Sequence, residues 1–231
     1  MNYTIWNGKD SREIKGLLIS ELPPITKPRI RTKETVIDGV DGSIIEELGY
    51  ESYDKTIAIG LKIGADVDEI TEYFTGSGEI IFSNEPNKYY RASIVNGIDY
   101  ARLSRYRVAK VTFRVQPFKF ENNEVELSNN GNGQELTVTN VGNYFSKPLI
   151  TIKGTGTIVL RANGNWICDY TFPEGEDTVI LDSEIEDAYF GDELKNGNML
   201  GNFPILIKGT NTISWSGTVT KISVKRYSRW L

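Results

Sequence analysis

Ala101-Arg102-Leu103-Ser104-Arg105-Tyr106-Arg107-Val108-Ala109-Lys110-Val111-Thr112-Phe113-Arg114-Val115 decides the fold class. Its odd positions carry Ala101, Leu103, Ala109, Val111, Phe113 and Val115, and its even positions include Arg102, Ser104, Lys110, Thr112 and Arg114. A side chain that alternates between core and water every second residue belongs to a half-buried antiparallel strand. Arg105 and Arg107 interrupt the apolar face, which predicts two pieces of strand or a bulge. Gln116-Pro117-Phe118 is expected to end the strand, because proline cannot donate to a ladder.

Working outward, similar strand signals run through 56–63, 79–82, 88–95, 136–139, 149–153, 157–162, 178–182, 205–208, 212–215 and 218–226. Twenty-two glycines and frequent Asn-Gly and Asp-Gly pairs supply the turn chemistry of a mainly β protein. One helix is expected over Asp66–Thr75. Asp66 caps it, Glu69 stands three residues on, Val67, Ile70 and Phe74 share a face, and Gly76 ends it. Residues 121–134, rich in Asn and poor in apolar side chains, read as a linker or exposed arm between parts at 1–120 and 135–231. Lys153-Gly154-Thr155-Gly156-Thr157-Ile158 and Lys208-Gly209-Thr210-Asn211-Thr212-Ile213 each read as a strand, a tight turn and a strand.

The 231-residue chain can bury a sizeable core without disulfides or metals. It has no histidine, which excludes Ser-His-Asp and Cys-His catalysis, histidine-ligated zinc and a histidine pH switch. Its single cysteine, Cys168, excludes an internal disulfide framework and reads as a small apolar filler. No stretch is long and apolar enough to span a membrane, and Met1–Asp10 is too polar for a signal peptide, so the protein is expected to start life in the cytoplasm where it is made. The formal charge is −5, and all of the excess lies beyond residue 120. Glu174–Glu193 holds nine acids and no base, opposite in sign to a nucleic-acid surface. The run lacks the spacing and turn glycine of a helix–loop–helix calcium site and reads as a solvated acidic loop, with no metal or cofactor expected.

Trp166, Tyr170, Tyr189, Phe190, Trp215 and Trp230 suit sugar stacking in principle, but core packing is the default for aromatics at strand positions. Two basic stripes remain: Lys27, Arg29, Arg31 and Lys33, and Arg102, Arg105, Arg107, Lys110 and Arg114. Equal numbers of acids in the same half favour pairing across strands or subunits over nucleic acid. No catalytic constellation is visible, and an assembly or binding role is what remains.

The order of motifs resembles the distal tail proteins of long-tailed, non-contractile bacteriophages and prophages of Gram-positive hosts. In the first half the resemblance rests on Trp6-Asn7-Gly8, Gly16-Leu17-Leu18-Ile19, Val36-Ile37-Asp38-Gly39-Val40-Asp41-Gly42 and the capped helix. It continues in Glu79-Ile80-Ile81-Phe82-Ser83, Tyr89-Tyr90-Arg91-Ala92 and Val111–Phe118. In the second half it rests on Asn140-Val141-Gly142, Pro148-Leu149-Ile150, Phe203-Pro204-Ile205-Leu206, Lys208–Ile213, Ile222–Val224 and Arg229-Trp230-Leu231. It implies an N-terminal β-rich, tail-tube-like domain with one short helix that forms a hexameric ring, and a C-terminal galectin-like β-sandwich. It also implies a non-enzymatic hub in the virion tail, joining the tube to tail-tip or receptor-binding proteins. Galectin sugar sites typically hold a histidine, and its absence argues against carrying sugar binding over. The candidate subunit contact is then Lys27, Arg29, Arg31, Lys33, Arg102, Arg105, Arg107 and Arg114 meeting Glu46, Glu47 and Glu51 of a neighbour. The alternative is a lectin-like, carbohydrate-binding module that recognises the host cell wall.

Overall fold

The computed structural model describes residues 1–97, 105 and 107–231. The protein is mainly β with one short helix, and it divides into two compact units, Met1–Asn122 with Leu231, and Asn123–Trp230.

The first unit comprises β1 (Thr4–Trp6), β2 (Lys9–Asp10), β3 (Leu17–Glu21), β4 (Ile30–Val36), β5 (Ser43–Tyr50), β6 (Tyr53–Leu61), α1 (Val67–Tyr73), β7 (Ser77–Phe82), β8 (Lys88–Ile94) and β9 (Val108–Glu121). Its main sheet runs β2-β1-β7-β8-β9-β6-β3, with every pairing along that order antiparallel. The alternation along Val111, Phe113 and Val115 puts all three at full burial. Phe113 sits at the middle of the core, its ring 5.4 Å from Trp6, 5.8 Å from Phe82 and 6.2 Å from Phe74. Helix α1 lays Ile70, Tyr73 and Phe74 against this cluster. Asp66 caps the helix as expected, accepting from the Asp68 and Glu69 amides, whereas the Glu69 side chain faces Lys9 at 3.7 Å.

Proline does not end β9. The strand passes through Pro117 to Glu121, because Pro117 falls where the ladder to β8 shifts register between Ala92↔Val115 and Tyr90↔Lys119. A bulge leaves residues unpaired, so the missing N–H costs no ladder bond. The part of the opening stretch at 101–104 and Tyr106 lies outside the described residues.

The second unit comprises β10 (Glu126–Asn129), β11 (Glu135–Asn140), β12 (Leu149–Ala162), β13 (Asn165–Thr171), β14 (Thr178–Asp182), β15 (Asp187–Phe190), β16 (Glu193–Leu194), β17 (Met199–Gly201) and β18 (Gly209–Lys225). Two long strands organise it. Leu149–Lys153 of β12 pairs with β14 and with the end of β18, while Thr157–Ala162 pairs with β13 and with the start of β18. One core, from Ile150 and Val224 to Leu160 and Trp215, serves both halves.

The two glycine-rich segments are therefore not hairpins. β12 runs unbroken through Gly154-Thr155-Gly156, and β18 starts at Gly209 and runs to Lys225. The β12–β18 register shifts at Lys153/Gly154 and again between Thr155 and Val159. A Cβ on Gly154 would stand 2.4 Å from the Thr218 carbonyl oxygen, and one on Gly217 (φ 97°) 2.4 Å from that of Thr157. Glycine here lets two backbones close on each other where the register shifts, as at a bulge.

Two further expectations change. The segment 121–134 is partly sheet: Glu126–Asn129 pairs in register with Lys225–Ile222 of β18. Its polar composition suits an outer strand that offers little side chain to the core. Residues 205–208 form no strand, only a bridge from Leu206 to Ser146, with Leu206 buried and Ile205 and Ile207 exposed.

Candidate functional site

β4 and β5 form a two-stranded sheet of their own. Asp38, Gly39, Asp41 and Gly42 occupy the connecting turn, and beyond Ile30 and Tyr50 every strand residue is exposed. Val36 (70%), Val40 (60%), Ile44 (59%) and Ile45 (64%) are among the apolar side chains left in water. An isolated hairpin is marginally stable at best, and exposed aliphatics on it are apolar surface left to water.

The root of this arm is anchored in a buried charged network. Asn84 Nδ2 donates to the Pro23 carbonyl at 2.9 Å, and Lys55 Nζ donates to that of Pro24 at 2.8 Å. Tyr53 Oη donates to the Thr26 carbonyl at 3.4 Å, and the Glu51 amide to that of Arg29 at 2.8 Å. Lys55 is only 2% exposed and lies over the Tyr90 ring, 5.0 Å from its centroid. Glu85 takes the Lys119 ammonium on one carboxylate oxygen and the Tyr90 hydroxyl on the other, each at 2.5 Å. Burial pushes the Glu85 carboxyl up, but the Lys119 and Tyr90 hydrogen bonds outweigh it and hold it below the usual range. Burial pulls Lys55 down to about 8 against the opposing Glu85 charge, and pushes Tyr53 up to about 12.

These shifts give a pH dependence. Between about pH 8 and its ordinary value of 10.5, Lys55 is neutral in the folded chain but still protonated in the unfolded one, so stability rises with pH. Lys88, also lowered by burial, adds in the same direction. Tyr53 and Tyr90, both raised, hold protons the unfolded chain releases and reverse the trend above pH 10. Unfolding free energies from denaturant titration are expected to climb from pH 8 to 10 by on the order of 1–2 kcal/mol. Lys55→Met should remove most of that climb; an equal climb in the variant would place its origin elsewhere.

The basic and acidic residues singled out in the sequence are partly brought together within one chain. Lys33 stands opposite Glu46 and Thr32 opposite Glu47 on the hairpin, and Arg31 Nη2 donates to the Leu48 carbonyl at 3.0 Å. Lys27, Arg29 and Glu51 lie at its root: Lys27 is exposed, and Arg29 and Glu51 are linked through backbone. Arg114 pairs with Asp54 across β9 and β6, and exposed Arg107 has a left-handed backbone (φ 55°). Arg105 is exposed, and Arg102 lies outside the described residues. Among the described residues no group of three or more acids and cysteines could hold a metal ion. In the acidic run, Lys195 gathers Glu176 at 2.8 Å and Glu193 at 2.7 Å. Tyr170 and Trp215 are core residues as expected, but Trp166 and Phe190 are about half exposed.

Sequence reasoning missed Lys55 although the signal was there. Tyr53, Lys55, Ile57 and Ile59 share one phase of the alternation, and Ile57 and Ile59 are fully buried.

No family model and no curated protein matches the sequence. Among solved structures the chain is similar to the Dit protein (gp 19.1) of phage SPP1, described as a paradigm of the hub adsorption apparatus in phages infecting Gram-positive hosts. That alignment covers 100% of both chains with a TM-score of 0.70 at 14% identity. The chain has the Dit fold. A chain of the phage P2 baseplate, in its activated conformation with Ca, aligns over 97% of each chain with a TM-score of 0.51 at 8% identity. The first of these alignments takes in the whole chain, both units and the β4–β5 hairpin included.

Proposed function

We propose that the protein is a structural hub of a phage tail, in which the first units of six copies close into a ring that joins the tail tube to the host-adsorption apparatus. The observation that carries this reading is the β4–β5 hairpin, whose exposed aliphatics have no cover among the described residues. A ring supplies that cover through a heterologous contact, in which the arm of one copy lies on a different surface of the next. Lys27, Arg29, Arg31, Lys33, Glu46, Glu47 and Glu51 then form a polar rim that sets the register of neighbours, while the aliphatics exclude water. Arg102, Arg105, Arg107 and Arg114 belong to the receiving surface. Similarity to the SPP1 Dit fold supports the same role, with the virion tail as its location and tail-tube and tail-tip proteins as partners. The product of such a protein is a geometry, and no bond-breaking group is invoked.

Light scattering and negative-stain microscopy of the purified chain test the proposal. A ring with six times the 26.0 kDa chain mass is expected. A particle that stays a single copy at high concentration, with no cyclic image, overturns it.

A further inference from the structure

We propose that the outward face of β11, β18, β12 and β13 is a binding site for an uncharged saccharide chain, with Trp166 as its stacking platform. The strand registers line up one row across four strands: Glu135 opposite Ser214, Ser214 opposite Arg161, and Arg161 opposite Trp166. The next row holds Ser216, Val159 and Asp169, followed by Leu200 on β17. Beyond it the Thr157 and Thr171 hydroxyls meet at 3.0 Å. Ile158, Leu160 and Ala162 alternate with these positions and are buried, so Thr157, Val159 and Arg161 point away from the core.

Trp166 is 48% exposed, yet it is held in place. Its indole N–H donates to Asp169 Oδ1 at 2.8 Å. Its ring edge lies over Gly201, with Cη2 2.9 Å from where a Cβ would stand. A bulge causes the exposure. Leu160 pairs with Cys168 but Arg161 with Trp166, so Ile167 is the extra residue and the expected inward phase is lost.

A fixed indole whose only donor is already satisfied offers a flat apolar face and no unmet polar demand. A pyranose presents a matching C–H face ringed by hydroxyls. The planar guanidinium of Arg161, the carboxylates of Glu135 and Asp169, and the flanking hydroxyls are the groups that pair with such a ring. At about 4.8 Å between strands the row is roughly 14 Å long, enough for more than one sugar unit. Two carboxylates against one guanidinium leave the face slightly negative, which selects against acidic polysaccharides. The site lies within the second unit and does not depend on the ring.

The test uses the full chain on immobilised tetrasaccharides of glucose, galactose, N-acetylglucosamine and rhamnose, with a heparin tetrasaccharide as the acidic comparison, followed by indole fluorescence titration. At least one neutral tetrasaccharide should bind. Trp166→Ala should weaken it about tenfold or more, with an unchanged melting temperature and unchanged particle mass, whereas Trp166→Phe should lose less. Arg161→Gln should weaken it as well. Absence of binding to every neutral probe up to about 10 mM, binding to heparin alone, or full affinity in Trp166→Ala would each overturn the proposal.

Discussion

Replacing Ile44 and Ile45 together by aspartate should leave a chain that folds normally and sediments as a single copy. Both side chains are more than half exposed, and the hairpin that carries them belongs to neither hydrophobic core. Their loss therefore costs the isolated chain little, and denaturant midpoints should move by less than about 0.5 kcal/mol. Consecutive strand residues point to opposite faces, so whichever face of the hairpin a ring covers would bury one of these carboxylates without a partner, at a cost of several kcal/mol per joint. The joint recurs around the ring, so the penalty multiplies and assembly should fail outright. Sedimentation velocity beside an unfolding curve separates the two effects. A variant that still runs at ring mass would show that the hairpin is not the joint.

The second large effect concerns Glu85. Glu85→Ala should destabilise the first unit by about 3–5 kcal/mol, the usual cost of stranding a buried charge. Lys119 is 7% exposed and Lys55 2%, and Lys55 lies against the Tyr53, Phe82 and Tyr90 rings. Without the carboxylate, Lys119 loses its 2.5 Å partner and the two ammoniums repel in a poorly hydrated space. Glu85→Ala combined with Lys119→Met should recover much of the loss, because the uncompensated charge leaves with its partner. Urea unfolding of the single and double variants measures this directly. Equal stabilities for the single variant and the parent chain would mean that the network contributes nothing.

What the sequence disclosed and what it hid follow one physical rule. Features set within one element were legible. The alternation of Val111, Phe113 and Val115 specifies a half-buried strand, and Asp66 before an apolar stripe specifies a cap. Features set by pairing between distant strands were not. Gly-Thr-Gly reads locally as a turn, and only the approach of the Thr218 carbonyl to Gly154 makes it a bend in a continuing strand. Glu126–Asn129 looks like linker until β18 lies beside it. Trp166 looks inward until one extra residue at Ile167 turns it out. The hairpin residues were legible as charged stripes and glycine turns, but the aliphatics between them gain meaning only from their exposure, which pairing and packing decide.

The length of β12 and β18, which run through the single nine-stranded sheet of the second unit, has a mechanical side. In a sandwich of separate sheets the layers are tied by packing and loops, and they can slide under tension. Here a pull on one half of the sheet travels to the other along covalent backbone, and the register shifts are locked by carbonyls seated against Gly154 and Gly217. Such a body yields as a whole or not at all.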